Sequence, residues 1–148
     1  MHTFDKLWTA VSLWAELQAA EISKTGRSLT PQEIVVAKKV GVQAPEKIRV
    51  LNVLAVPFPE DPAIHAFGIQ VGLPPGSSGG MTLGYGIFIR DDHKDQSNIW
   101  PHELRHVAQY ECLGSIKAFM FFYLKELLHF RYGLGPLEVD AKNAEQIG

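Results

Sequence analysis

Two histidines separated by three residues constrain this chain more than any other feature. The segment His102-Glu103-Leu104-Arg105-His106 has the pattern HExxH. On an α-helix, residues four apart lie on one face, a little more than one turn from each other, so both imidazoles can point at a single metal ion. The pattern predicts a zinc site with His102 and His106 as ligands and with Glu103 beside the ion as a general base.

The residues around this motif have the spacing of a helix. Apolar and motif residues recur at steps of three and four between Ile99 and Tyr110. Asn98 is placed to cap the helix, and Pro101 falls in the first turn, where its missing N–H costs little. A helix is therefore expected here. The alternative is that the two histidines are solvated or packed on an ordinary amphipathic helix.

The residues that follow His106 distinguish between two types of zinc peptidase. A catalytic zinc ion requires a third protein ligand and an open position for water. In metzincins a third histidine follows in the continuation HxxGxxH, whereas residues 107–112 of this chain read VAQYEC. The chain instead resembles small zincin metallopeptidases of the gluzincin type, in which a later glutamate is the third ligand. The resemblance extends over residues 81–141.

Several downstream side chains are candidates for the third ligand. Glu138 is preferred, because residues 136–141 are similar to the Pro-x-Glu-x-Asp/Glu-Ala segment of small HExxH proteins. Asp140 of that segment is expected to orient one of the metal ligands without binding the ion itself. Glu126 has the spacing found in thermolysin-like gluzincins but lacks their acidic residue four positions on, and His129 is a further alternative. Glu111 is expected to point away from the metal, as a surface residue.

Length and composition predict one domain, residues 1–148, and the resemblance implies that it has a zincin-like fold of the α+β class. N-terminal helices, a small and mainly antiparallel sheet, the active-site helix and C-terminal helices are expected in that order. It also implies a zinc-dependent peptidase acting on a peptide or protein substrate, in which Glu103 takes the proton of the attacking water and passes it to the leaving amine. Tyr132, Arg131 and His129 are the candidate oxyanion donors.

Two other functions remain open. A zinc-dependent hydrolase of a non-peptide amide or ester uses the same atoms and does not need a strand beside the metal. A zinc-bearing interaction module without turnover has no use for Glu103, and such structural sites usually close the fourth position with cysteine or histidine. Glu103 therefore favours an enzyme.

Periodicity along the chain predicts the secondary structure. Helices are expected over residues 4–24, from Thr30 to just before Gly41, over residues 115–131, and from Pro136 onward; strands are expected over residues 48–56, 64–71 and 81–90. Strand 48–56 is expected to be buried. Strand 81–90 is expected to be the sheet edge above the metal, where it would pair antiparallel with an extended peptide. Loop 73–80 is either a flap over the site or a mobile connector.

Composition limits the partners. The net charge is −2 and no Lys/Arg cluster is present, which argues against nucleic acid as a partner. The apolar block 118–124 is too short to span a bilayer. The single cysteine, Cys112, is expected to be a small buried residue. Acidic residues interrupt the first 24 residues, so a cytoplasmic location is expected unless a leader has been removed.

Overall fold

Six α-helices surround a three-stranded sheet in residues 3–147, the part of the chain that this computed structural model describes. The elements, in chain order, are α1 Thr3–Thr25, α2 Pro31–Lys39, β1 Arg49–Val53, α3 Pro62–Val71, β2 Gly80–Leu83, β3 Gly86–Arg90, α4 Ile99–Leu113, α5 Ile116–Phe130 and α6 Pro136–Ala144, with short 3-10 helices at Pro45–Lys47 and Asp91–His93. The α+β class predicted from the sequence is confirmed. No helix in this part of the chain is long and apolar enough to cross a bilayer.

The sheet has the order β1-β3-β2 and is mixed. Strand β3 lies in the centre, parallel to β1 and antiparallel to β2. The expectation of a mainly antiparallel sheet is therefore wrong, because the chain leaves β1 through a crossover that contains α3 and returns to the sheet in the β2–β3 hairpin.

The predicted strand 81–90 is in fact this hairpin. A turn at Gly84 and Tyr85 separates β2 from β3, and Gly84 has a φ of 65°, a conformation that glycine adopts at little cost. A single strand over residues 81–90 would alternate between buried and exposed side chains, but this alternation ends at the turn. All residues of β3 except the last are buried. Of the two strands of the hairpin, only β2 lies at an edge of the sheet, so the expectation that the whole of 81–90 forms the edge is wrong for β3.

The predicted strand 64–71 is also wrong, because these residues belong to helix α3. The Asp61 side chain accepts hydrogen bonds from the backbone N–H groups of Ala63 and Ile64, and Pro62 occupies the first helical position. Gly72 ends the helix with a φ of 88°. The cap and the final glycine outweigh the strand preference of the β-branched residues between them.

Strand β1 is shorter and less buried than predicted. It covers five residues at the edge of the sheet, of which Val50 alone is buried, whereas Asn52 is exposed. The predicted helices, in contrast, agree with the structure. Wherever the sequence predicted the first or last residue of a helix, that residue lies within one or two positions of the observed end. Thr30 and Glu33 form a complete capping box at the start of α2, and Ser115 caps α5.

Two apolar clusters pack the helices, α4 among them, against the sheet. One cluster packs α1 and α5 against a face of the sheet that includes Leu83 and Phe88. The other packs α2 and α4 against the opposite face, which includes Ile87 and Ile89. Helix α4 therefore has a buried inner face in which Leu104 and nearby residues are fully covered. Cys112, expected to be buried, is exposed near the end of this helix.

Candidate metal centre

Helices α4 and α6 bring two histidines and one glutamate together. His102 and His106 lie on one face of α4, and Glu138 lies in the first turn of α6, which begins at Pro136. Each of the three side chains has one nitrogen or oxygen atom that could bind a metal ion, and these three atoms lie within 4.8 Å of one another. Two of the three residues, His106 and Glu138, are buried. This group can hold a metal ion.

The Glu138 carboxylate faces one ring nitrogen of each histidine. The Nε2 atoms of His102 and His106 lie 3.1 Å from Oε2 and Oε1 of Glu138, respectively. Burial acts to raise the pKa of Glu138, but the two histidines outweigh it and hold this pKa well below its usual range. Burial likewise acts to lower the pKa of His102, but its hydrogen bond to Glu138 and the charges of Glu103 and Glu138 raise it to about 9.

The other ring nitrogen of each histidine is held by an oxygen acceptor. Nδ1 of His102 lies 2.8 Å from Oε2 of Glu145, and Nδ1 of His106 lies 2.7 Å from Oε1 of Gln109. The amide nitrogen of Gln109 donates to the Leu137 carbonyl and to Asp140, which fixes its oxygen toward His106. Because these oxygens can only accept, Nδ1 of each histidine donates to them, and Nε2, which faces Glu138, is the nitrogen that a metal ion could bind.

Glu103 is buried beside the group and is fixed by strand β2. The Thr82 hydroxyl lies 2.7 Å from Oε1 of Glu103 and 3.0 Å from the Glu103 main-chain oxygen. The strand passes so close that a Cβ atom at Gly80 would lie 3.2 Å from the Glu103 carboxylate. Burial raises the pKa of Glu103, which eases its uptake of a proton.

The other candidates for the third ligand lie elsewhere. Glu126 accepts a hydrogen bond of 2.8 Å from the backbone N–H of Leu137, so it caps the start of α6. His129 is exposed and packs against Phe130. Asp140 reaches His106 only through Gln109, and it also accepts a hydrogen bond of 2.7 Å from Arg105.

Glu111 points away from the group, as expected, but it is not a plain surface residue. Its carboxylate accepts hydrogen bonds from the backbone N–H groups of Gln43 and Ala44 and from the Tyr85 hydroxyl. It therefore connects α4 to the loop after α2 and to the turn of the β2–β3 hairpin. The acceptor oxygens also raise the pKa of Tyr85 to about 12, although burial is the largest cause.

Sequence reasoning missed four residues of the site: Gln109, Glu145, Thr82 and Tyr123. Gln109 is three positions after His106 on the same helix face, and Glu145 is seven positions, or two turns, after Glu138, so helical spacing offered a signal for both. Thr82 had no such signal, because its contact with Glu103 depends on how the sheet packs against α4.

The His-His-Glu group that could hold a metal ion forms part of the wall of a cavity of about 120 Å³. Most of the other wall residues are apolar, and half of these other residues come from α1, α3 and α5. Tyr132, one of the candidate oxyanion donors, borders this cavity, whereas His129 and Arg131 are not among its lining residues. The Tyr123 hydroxyl also reaches the site and donates a hydrogen bond of 3.0 Å to Oε1 of Glu138.

No family model matches the chain, and no curated protein and no solved structure is significantly similar to it. The fold and the site define an α+β protein with a His-His-Glu group that can hold a metal ion. The resemblance to zincins rests on the HExxH motif and the segment that contains Glu138.

Proposed function

We propose that this protein is a zinc-dependent peptidase. The observation that carries the proposal is the meeting of His102, His106 and Glu138 beside a buried Glu103. Two imidazole nitrogens and one carboxylate oxygen are a ligand set found in catalytic zinc sites, which leave a further position open. The orientation of the two histidines suits this role, because each Nε2 faces Glu138 while each Nδ1 is hydrogen-bonded to an acceptor on the other side of the ring.

A zinc ion in this group would polarise a carbonyl and lower the pKa of water toward neutrality. Glu103 then acts as the general base that takes the proton of the attacking water and delivers it to the leaving amine. Its burial and its hydrogen bond from Thr82 keep the carboxylate in one position during both transfers. Tyr132 borders the same cavity, and its phenol is the candidate donor to the oxyanion.

The edge strand β2 is the surface along which an extended peptide would lie. The backbone N–H of Arg90 donates to the Gly79 carbonyl, and the register of the hairpin then directs the backbone groups of Gly80 and Thr82 away from β3. The Thr82 carbonyl already accepts a hydrogen bond of 2.9 Å from the Tyr110 hydroxyl. A peptide would therefore pair mainly with Gly80 and with the N–H of Thr82.

The hydrogen bond between Tyr110 and Thr82 also favours a second candidate. It occupies one of the few acceptors along this short edge, so main-chain pairing with a long peptide is limited. A hydrolase of a non-peptide amide or ester does not need this pairing and would use the same zinc ligands and the same base.

One experiment separates these functions. Zinc-loaded protein is incubated with a peptide library and with a panel of N-acyl amides and esters, with and without a chelator. We expect peptide cleavage that the chelator abolishes and added zinc restores. In Glu103→Gln, zinc should stay bound while the rate falls by roughly 10²- to 10⁴-fold, because the amide cannot accept the proton.

The opposite outcomes are equally specific. Hydrolysis of amides or esters without peptide cleavage would establish the second candidate. Bound zinc with no hydrolysis of any substrate would indicate an interaction module. Equal activity of Glu103→Gln and the parent protein would exclude Glu103 as the base.

A further inference from the structure

We propose that the cavity beside the His-His-Glu group is a specificity pocket for one branched aliphatic or aromatic side chain next to the bond that is cleaved. The proposal rests on the proposed function and assigns its substrate class. It also gives a role to α1 and α3, which belong to the part of the chain that precedes the motif.

The walls of the cavity are apolar and come from distant parts of the chain. The lining residues that carry the argument are Trp14 of α1, Phe67 and Val71 of α3, Met81 of β2, and Phe119 and Leu124 of α5. The His-His-Glu group and Glu103 lie in the same lining. A group that enters the cavity is therefore attached to a bond that lies against the candidate catalytic residues.

The volume of the cavity sets the size of the occupant. It is about 120 Å³, close to the ~150 Å³ of a dry apolar cavity that accepts benzene. An isobutyl or benzyl group therefore fits, whereas an indole or a long acyl chain does not fit without rearrangement. A glycine would leave the apolar walls uncovered.

The charge of the lining excludes other classes of side chain. The lining residues include the carboxylates of Glu103 and Glu138 and no lysine or arginine. The bases in the lining, His102 and His106, already face Glu138, so an acidic side chain in the apolar part of the pocket would lose its hydration without a cationic partner. The pocket should favour leucine and phenylalanine over glycine and aspartate.

Helix α3 offers a matched pair of positions for a test. Val71 is 4% exposed and lines the cavity, whereas Ile69, two residues earlier on the same helix, is 63% exposed and does not line it. Gly68 is unsuitable, because an added Cβ would lie 2.5 Å from the Leu73 carbonyl oxygen. Val71→Phe should fill the cavity, and Ile69→Phe should leave it unchanged.

The direct test is the binding of toluene to zinc-loaded protein, followed by methyl chemical shifts. Toluene carries no atom that coordinates zinc, so its binding reports on the cavity even if the chain hydrolyses no peptide. We expect shift changes at the Val71 and Leu124 methyl groups in the parent protein. Binding should weaken at least about tenfold in Val71→Phe and should be unchanged in Ile69→Phe.

A second variant keeps the test decisive if Val71→Phe does not fold. Met81 is only partly buried on the edge strand, so Met81→Trp fills the cavity from its other side at less risk to the core. The pocket is excluded if toluene causes no shift at these methyl groups, or if the folded filling variants bind it as well as the parent.

The preference for peptide substrates is measured in a separate experiment. With peptides that differ only beside the cleaved bond, leucine and phenylalanine should exceed glycine and aspartate in kcat/KM at least about tenfold. Val71→Phe should reduce that preference while glycine peptides remain substrates. Toluene binding without any peptide cleavage would contradict the proposed peptidase and leave the pocket intact, whereas cleavage without this preference would contradict the assignment of the pocket.

Discussion

His102 and His106 each use both ring nitrogens, one toward Glu138 and one toward an acceptor behind the ring. Acceptors of this kind fix the orientation and the proton position of a histidine ligand, and their loss typically lowers metal affinity 10- to 100-fold. Glu145 has a support of its own, because Asn98 donates a hydrogen bond of 3.0 Å to its other carboxylate oxygen.

Replacement of Glu145 should therefore weaken zinc binding without removing a ligand. We expect Glu145→Ala to lower zinc affinity by roughly 10- to 100-fold, measured by competition with a chromophoric chelator. Glu145→Gln should recover much of the loss, because its amide oxygen can still accept from Nδ1 of His102. If Glu145→Ala competes for zinc as well as the parent protein, the contact does not orient His102.

At this scale, the sequence was most informative where the chemistry depends on residues close together in the chain. The HExxH spacing predicted that His102 and His106 share a face of α4, and Pro136 predicted the start of a helix that carries Glu138. The contact of Thr82 with Glu103 depends on the packing of β2 against α4, which no local pattern encodes. Glu145 follows α6 near the end of the chain and had no motif to draw attention to it.

At the scale of elements, the hairpin changes what a substitution at Gly86 should do. If residues 81–90 formed one edge strand, as the sequence predicted, Gly86 would lie beside the incoming peptide, and valine there would block cleavage and leave the fold intact. In the structure Gly86 begins the central strand β3, and an added Cβ would lie 2.9 Å from Cδ1 of the buried Ile22 on α1. That interpretation of Gly86 is wrong, because the residue faces the core.

Gly86→Val should therefore act on stability. We expect a loss of about 1–3 kcal/mol in the free energy of unfolding, since the larger side chain forces α1 away from the sheet. Urea denaturation measures this directly. A variant as stable as the parent protein would show that α1 adjusts to the added volume at no cost.

The start of α2 provides a prediction on pH. Glu33 accepts a hydrogen bond of 2.9 Å from the Thr30 N–H, and its carboxylate pairs with Arg27 at 2.9 Å. Burial acts to raise the pKa of Glu33, but the contacts with Arg27 and Thr30 outweigh it and lower this pKa from 4.5. The ionised form thus stabilises the fold above the unfolded pKa, and this stabilisation is lost as the pH falls through the folded pKa.

The difference in unfolding free energy between the parent protein and Glu33→Gln should therefore be largest near neutral pH. It should shrink toward zero as the pH falls below 4.5 and through the lowered pKa of Glu33 in the folded protein, because the parent carboxyl is then protonated too. Urea unfolding at a series of pH values measures it, with Glu16→Gln on the exposed face of α1 as the control. A difference independent of pH would mean that the ionised carboxylate contributes nothing beyond a neutral acceptor.

Most helices were predicted correctly because capping residues mark their ends, as Thr30, Ser115 and Pro136 do. Helix α3 shows how the same reasoning fails. Its β-branched and apolar residues suggested a strand, although Asp61 and Pro62 before it carried the opposite signal. The order of the strands had no local signal at all, since β1 and β3 are joined by long-range pairing across α3 and β2.

For the whole molecule, the His-His-Glu group connects two elements that are far apart in sequence. Helix α4 supplies two side chains and α6 supplies one, and both helices belong to the same packed unit beside the sheet. An ion that binds the folded chain and not the unfolded chain stabilises the fold by mass action. Without an ion, Glu138 is buried and pairs only with protein groups, the two histidines and Tyr123.

Zinc should therefore raise the melting temperature, and the response of two variants identifies the third ligand. At free zinc about 100 times Kd the stabilisation is about 2.7 kcal/mol, which for a chain of this size corresponds to roughly 5–11 °C. We expect this shift, measured by calorimetry, in the parent protein and in Glu126→Ala, whose lost cap lowers the starting temperature only. Glu138→Ala should lose the shift, and magnesium, which prefers octahedral oxygen ligands, should not produce it. If Glu138→Ala kept the shift while Glu126→Ala lost it, the ligand would be Glu126 and the assembly of α4 with α6 would not depend on zinc.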